Sequence, residues 1–208
     1  TVFSVSTATV GSQGGTGNGG TANVIVNGTV QTTGARAAAV SAQSIGGGGG
    51  LIQSGGVTLM GSAGGAGTGG PVNVTVGGTA IAQGLDSPGI FALSAGGSGA
   101  NPIAITLTGG ASVVGGTGTA AGIMLSGGTN NTISIAASAS VGAASGLAIA
   151  AGAGNEAVST AGTVTGNVQL GSGSNSFTTQ PGGLFNAGQV VDLGNGVLVN
   201  FGTLSPGG

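Results

Sequence analysis

Short runs of alternating apolar and polar residues recur along the chain, and glycine, asparagine or serine separates each run from the next. Alternation with a period of two, bounded by turn-forming residues, predicts short strands with one buried face. The clearest runs lie at 23–26, 72–76, 103–107 and 132–135, and all are rich in valine, isoleucine or threonine. The sequence therefore predicts an all-β chain of short strands joined by tight corners.

Helix is disfavoured along the whole chain. Glycine recurs every few residues, and each glycine costs about 1 kcal/mol relative to alanine inside a helix. The alanine-rich stretch 136–153 is the one place where a helix competes. Because it contains Gly142 and Gly146 and a strand-like Leu-Ala-Ile at 147–149, we predict strands there as well.

An internal repeat indicates how these strands are arranged. Segments 11–34 and 61–84 match without a gap at an offset of 50 residues. A shorter echo, with an offset of 23 residues, relates 168–173 to 191–196. Since 50 is close to twice 23, we interpret the longer block as two coils of about 23–25 residues each.

The repeat predicts one domain, a β-solenoid over residues 1–208 with about 8–9 coils. Segments 11–60 and 61–110 are the two copies of the 50-residue repeat, and 111–208 holds more divergent coils. Coils stacked about 4.8 Å apart would let each strand pair with the coils before and after it. Backbone groups would then be satisfied without charged side chains.

The core of such a stack is narrow. We predict that inward valine, isoleucine and leucine side chains fill it together with the five phenylalanines: Phe3, Phe91, Phe177, Phe185 and Phe201. Asn23 and Asn73, at equivalent positions of the repeat, are predicted to hydrogen-bond to each other along the stack.

Composition changes this picture in one respect, the choice of partner. The chain has 52 glycines, is 39% hydrophobic and only 2% charged, and carries a net charge of −2. Nucleic-acid binding is disfavoured because it needs several lysines or arginines. No apolar run approaches the roughly 20 residues of a membrane-spanning helix. An almost uncharged surface opposes self-association weakly, so the expected partner is another copy of the chain, as a homo-oligomer or filament.

Catalysis and cofactor binding are both disfavoured. There is no His, Cys or Tyr, and the charged residues are Arg36, Asp86, Glu156 and Asp192. Acid–base or nucleophilic chemistry has little to work with, and zinc lacks its usual ligands. We expect the three carboxylates to lie at solvent-facing corners. The sequence predicts no enzyme, no metal and no cofactor.

The sequence disfavours three kinds of binding site that its motifs superficially suggest. The GxGxxG pattern starting at Gly15 and again at Gly65 would need a following helix to bind a dinucleotide, and strands are predicted there instead. Calcium-binding β-rolls carry an aspartate in each glycine-rich turn, and these corners have none. Ice binding needs a flat threonine ladder, and no Thr-x-Thr recurs at one position of the repeat.

Arg36 and Asp86 occupy the same position of the 50-residue repeat. If that repeat is two coils, they lie on one face about 10 Å apart, too far for a salt bridge within one chain. They are candidate contacts between copies of the chain, with ordinary solvated surface charge as the alternative.

Several segments resemble the passenger region of bacterial autotransporters, the type V secreted surface proteins. They are Ala-Gln-Ser-Ile followed by five glycines at 42–50, Gly-Asn-Val-Gln-Leu-Gly at 166–171, and Phe-Gly-Thr-Leu-Ser-Pro-Gly-Gly at 201–208. The resemblance covers essentially the whole chain. It implies a right-handed parallel β-helix, export through the outer membrane of a Gram-negative bacterium, and display on the cell surface or release from it.

The function expected from these observations is structural: a stalk, or the protomer of a self-assembling extracellular fibre or surface layer. The alternative is an adhesin module that binds host or neighbouring cells through one face of the solenoid. The chain has no tyrosine or tryptophan to stack against sugars, which counts against the adhesin.

Overall fold

The computed structural model describes residues 15–47, 51–54, 57–60 and 66–207, and every regular element within these ranges is a β-strand. The prediction of an all-β chain is confirmed, including strands in the alanine-rich stretch. In chain order the strands are β1 (Ala22–Val26), β2 (Thr29–Thr32), β3 (Val40–Ile45), β4 (Leu51–Ser54), β5 (Val57–Met60), β6 (Val72–Val76), β7 (Thr79–Ala82), β8 (Ile90–Ala95), β9 (Ile103–Leu107), β10 (Ser112–Gly115), β11 (Ala121–Gly127), β12 (Asn131–Ile135), β13 (Ser140–Ala143), β14 (Leu147–Ala150), β15 (Glu156–Thr160), β16 (Thr163–Gln169), β17 (Ser176–Thr179), β18 (Leu184–Asp192), β19 (Val197–Asn200) and β20 (Thr203–Pro206).

The strands stack as coils with three faces. Face one contains β1, β6, β9, β12, β15, β17 and β19, in that order and all parallel. Face two begins with β2, β7, β10 and β13, and face three with β3, β8, β11 and β14. We number the coils from the face-one strands: coil 1 is β1–β3, coil 2 is β6–β8, coil 3 is β9–β11, coil 4 is β12–β14, coil 5 is β15–β16, coil 6 is β17–β18 and coil 7 is β19–β20.

The interpretation of the 50-residue block as two coils is wrong. Ala22 of β1 pairs directly with Val72 of β6, and Val40 of β3 pairs directly with Ile90 of β8. The block is one coil enlarged by an insertion, the antiparallel β4–β5 hairpin, which lies between β3 and β6.

Coil length is not constant either, so the expected 8–9 coils of about 23–25 residues are corrected to seven coils in the described part of the chain. Successive face-one strands are offset by 50, 31, 28, 25, 19 and 21 residues, from the register of their paired positions. The corner between faces two and three shortens along the chain, from 33–39 and 83–89 to 116–120 and then 144–146.

Faces two and three join in the last coils. The long strand β16 pairs with β13 through Thr163 and Val164 and with β14 through Asn167–Gln169. The bend between these halves is at Gly166, with φ of 122°, a conformation that side chains rarely adopt. A Cβ there would also collide with the carbonyl oxygen of Gly146. Glycine at 166 therefore lets one strand serve two faces.

Inward columns of apolar side chains build the core, and each face has one central column that runs through successive coils. Burying each Val, Ile or Phe contributes about 1.5–3 kcal/mol, and the columns repeat that burial in every coil. The face-one column is Val74, Ile105, Ile133, Val158, Phe177 and Leu198; the face-two column is Ala80, Val113, Val141, Val164, Phe185 and Leu204; the face-three column is Ile90, Ile123, Ile149, Val168 and Val191.

The phenylalanines divide between core and surface. Phe177 and Phe185 are fully buried, with ring centroids 4.5 Å apart, as predicted. Phe91 is half-buried and Phe201 is 64% exposed, so the expectation that all five fill the core is wrong. Phe3 lies outside the described residues.

Candidate functional site

Arg36 and Asp86 lie at the same corner in adjacent coils. The Arg36 N–H donates to the Leu85 carbonyl at 2.8 Å, and the Asp86 N–H donates to the Thr117 carbonyl at 2.9 Å. Both residues have positive φ, 55° and 54°. The predicted separation of two coils is therefore corrected to one, because the 50-residue block is a single coil. Their role as contacts between copies stays a prediction.

The Asp86 carboxylate fixes the next corner of its own chain. Its Oδ1 accepts hydrogen bonds from the backbone N–H and the hydroxyl of Thr119, both at 2.9 Å. The Thr119 backbone hydrogen bond is the main reason that the pKa of Asp86 lies below its ordinary value, with smaller contributions from the Thr119 hydroxyl and the Arg36 charge. This aspartate joins coils 2 and 3 as well as carrying surface charge.

A buried serine completes this corner, and sequence reasoning did not identify it. The Ser87 hydroxyl donates to the Gly34 carbonyl at 2.9 Å and accepts from the Ala37 N–H at 3.0 Å. Ser87 is fully buried. The only sequence signal is its position beside Asp86 in a Gly-rich corner.

The other two carboxylates differ sharply in exposure. Asp192 is exposed, and its Oδ1 accepts from the Gly194 N–H at 2.9 Å. Glu156 is only 2% exposed, so the expectation of a solvent-facing corner is wrong for this residue. Within the described ranges, no three Asp, Glu, His or Cys side chains come together.

Glu156 is part of a buried polar ladder at the corner between faces three and one. Its neighbours in the ladder are Asn131 in coil 4 and Asn175 in coil 6, both buried. The Asn131 amide donates to Glu156 Oε1 at 3.0 Å, and the Glu156 N–H donates to Asn175 Oδ1 at 2.8 Å. Burial raises the pKa of Glu156 above its ordinary value, and the Asn131 hydrogen bond partly opposes that rise.

An open groove of about 460 Å³ runs over the surface of the same corner. Asn155 Nδ2 donates to Asn130 Oδ1 at 3.1 Å along its wall, and the Ser174 N–H donates to Asn155 Oδ1 at 3.0 Å. The lining offers neutral hydrogen-bonding groups and no charge; it consists of Thr129, Asn130, Gly154, Asn155, Ser172 and Gly173.

Several large apolar side chains are exposed together at the outer side of coils 6 and 7. No described strand pairs with the outer edge of β19 or β20. The three core columns reach this end at Leu198, Leu204 and Val191, which are 37%, 37% and 39% exposed, whereas the column residues of coils 2–5 are at most 2% exposed. We call this surface the open end, and it also includes Val197 and Phe201.

Backbone groups of the open end are oriented for a further strand. The Val197 and Phe201 N–H groups donate back to coil 6. Because alternate residues of a parallel strand face opposite neighbours, those of Leu198 and Asn200 face away from it. Pro206 has no N–H to offer, so β19 is the better edge for strand addition.

Comparison with known proteins gave no match to a family model, to a curated protein or to a solved structure. The described ranges contain no helix of the length and apolarity needed to cross a membrane.

Proposed function

We propose that this chain is a structural segment of a secreted bacterial surface protein, which forms a stalk or assembles into an extracellular fibre or surface layer. The observation that carries the proposal is the open end, where three core columns and a strand edge meet solvent together. A further coil, from a second copy or from the same polypeptide, would bury Leu198, Leu204 and Val191 and pair the edge of β19.

Weak surface charge supports the same proposal. Of the four charged side chains, Arg36 and Asp86 lie in coils 1 and 2, and Glu156 is buried. Asp192 is in coil 6, on β18. Coil 7 carries no charge, and edge strands that resist association commonly carry lysine. Two copies would meet at this end with little electrostatic repulsion.

The same proposal includes the protein family and the cellular location of the chain. We infer a right-handed β-helix from an autotransporter passenger, exported to the surface of a Gram-negative bacterium, with no catalytic activity. The resemblance at 42–50, 166–171 and 201–208 supports the family, and the stacked parallel coils are compatible with it.

Association through the open end is tested by sedimentation and electron microscopy of the purified chain over a range of concentrations. We expect oligomers or filaments that grow with concentration, and we expect Leu198→Lys to abolish them, because a buried unpaired charge is strongly unfavourable. The matched control is Leu85→Lys, at an exposed residue in coil 2, which should leave association unchanged.

Circular dichroism checks that both variants keep their β structure. Strictly monomeric wild-type protein at the highest concentrations would rule out self-assembly. Equal association of the two lysine variants would place the contact elsewhere on the molecule.

A further inference from the structure

The carboxyl group of Glu156 occupies a ladder position that asparagine fills in the coils on both sides. Asn131 pairs in register with Glu156, and Asn175 accepts the Glu156 N–H. The Oδ1 atom of each asparagine accepts a backbone N–H from the preceding coil. Asn131 Oδ1 accepts the Ile103 N–H of coil 3 at 2.9 Å, as Asn175 Oδ1 accepts the Glu156 N–H of coil 5. The ladder therefore fastens each coil to the one before it.

The amide nitrogens of the two asparagines also donate to the same kind of acceptor, a glycine carbonyl. Asn131 Nδ2 donates to the carbonyl of Gly127, four residues earlier, at 3.1 Å. Asn175 Nδ2 donates to the carbonyl of Gly171, again four residues earlier, at 3.2 Å. Each donation fastens the start of a face-one strand to the preceding corner.

Glu156 cannot make this donation when it is ionised, because a carboxylate only accepts hydrogen bonds. Its Oε2 is buried and has no hydrogen-bond partner among the described residues. The carbonyl four residues earlier is that of Gly152, an exposed residue. A protonated carboxyl group has one O–H and can donate a hydrogen bond where a carboxylate cannot.

No other charge compensates the ionised form. The strands that pair with β15 on either side, β12 and β17, have the sequences NTISI and SFTT and contribute no charged or acid–base group. The adjoining corners at 127–130 and 170–175 contain only glycine, threonine, asparagine, leucine and serine. A buried charge without a partner destabilises its surroundings.

We propose that Glu156 is a proton-controlled link between coils 4, 5 and 6, complete when its carboxyl group is protonated and loosened when it ionises. This link does not depend on the proposed assembly function. It would make the solenoid more stable to unfolding in acid than at neutral pH.

The sign of the pH dependence follows from burial. Burial raises the pKa of Glu156 in the folded chain above its ordinary value of 4.5. The contribution to stability is therefore fully present below that ordinary value and is lost as pH rises through the folded-state pKa.

The test is urea unfolding of the whole chain between about pH 4 and pH 8, followed by circular dichroism. We expect the wild-type midpoint to fall as pH rises. Glu156→Gln keeps the shape and supplies a permanent donor, so its midpoint should stay flat and lie above the wild type at the alkaline end. The control Asp86→Asn should keep the fall, because the pKa of Asp86 is lowered and its titration has the opposite sign.

Parallel midpoint profiles for wild type and Glu156→Gln would overturn the proposal. If Glu156→Gln does not fold, the pH titration of the Glu156 carboxyl carbon, followed by NMR in the wild-type chain, tests the proposal instead. A titration above the ordinary value supports the link, and one at or below that value contradicts it.

Discussion

Two buried threonine hydroxyls on face one, those of Thr160 and Thr179, have no hydrogen-bond partner within the described part of the chain. The two residues pair in register between β15 and β17. A buried hydroxyl without a partner costs about 1–3 kcal/mol, and valine has nearly the same shape. Thr160→Val and Thr179→Val should each raise the free energy of unfolding by about 1 kcal/mol.

Urea unfolding measures this gain. The control is Thr132→Val, because Thr132 lies at an exposed position of β12, and its free energy of unfolding should change by no more than about 0.5 kcal/mol. Lower stability in both buried variants would show that the hydroxyls make a favourable interaction that valine cannot replace.

Single residues also show how far the sequence could be interpreted. The hydrogen bond predicted between Asn23 and Asn73 is present, from Asn73 Nδ2 to Asn23 Oδ1 at 2.8 Å. The charge of Glu156 predicts an exposed side chain, whereas the structure buries it. The alternation with a period of two does predict this burial, because Glu156, Val158 and Thr160 are alternate residues of β15 and all three face inward.

At the scale of elements, the packing of β17 against β18 depends on Phe177 and Phe185. Their rings are tilted by 33° at 4.5 Å between centroids, and both are fully buried in coil 6. Phe177→Ala should lower the free energy of unfolding by about 3–5 kcal/mol. Phe201→Ala is the control in dilute, monomeric protein, because that ring is 64% exposed in the single chain, and its change should stay within about 0.5 kcal/mol. Similar losses in both variants would contradict this assignment of the core.

Strand type was predictable from alternation, but coil length was not. The 50-residue offset and the 23-residue echo are both registers between adjacent coils, since Asn23 pairs with Asn73 and Val168 pairs with Val191. The two offsets differ because the coils themselves differ in length. Strand pairing fixes only the strands, so corners can lengthen or accept the β4–β5 hairpin without disturbing the register.

At the scale of the whole molecule, the stack behaves as a one-dimensional array in which each coil contacts only its neighbours. Coils 3 and 4 have a buried core on both sides, whereas coil 7 has one on a single side. Amide hydrogen exchange should therefore be slowest in β9 and β12 and fastest in β19 and β20, because local opening is easiest where fewest apolar contacts are lost.

Measuring exchange at several protein concentrations shows whether the open end stays exposed or is covered by a second copy. If a second copy covers the open end, protection of the β19 amides should rise with protein concentration, while protection of β9 and β12 stays constant. Leu198→Lys should remove that rise and leave the central coils unchanged. Exchange from β19 that is fast at every concentration would leave the end uncovered and contradict assembly, whereas slow exchange from β19 in dilute monomer would contradict the one-dimensional stack itself.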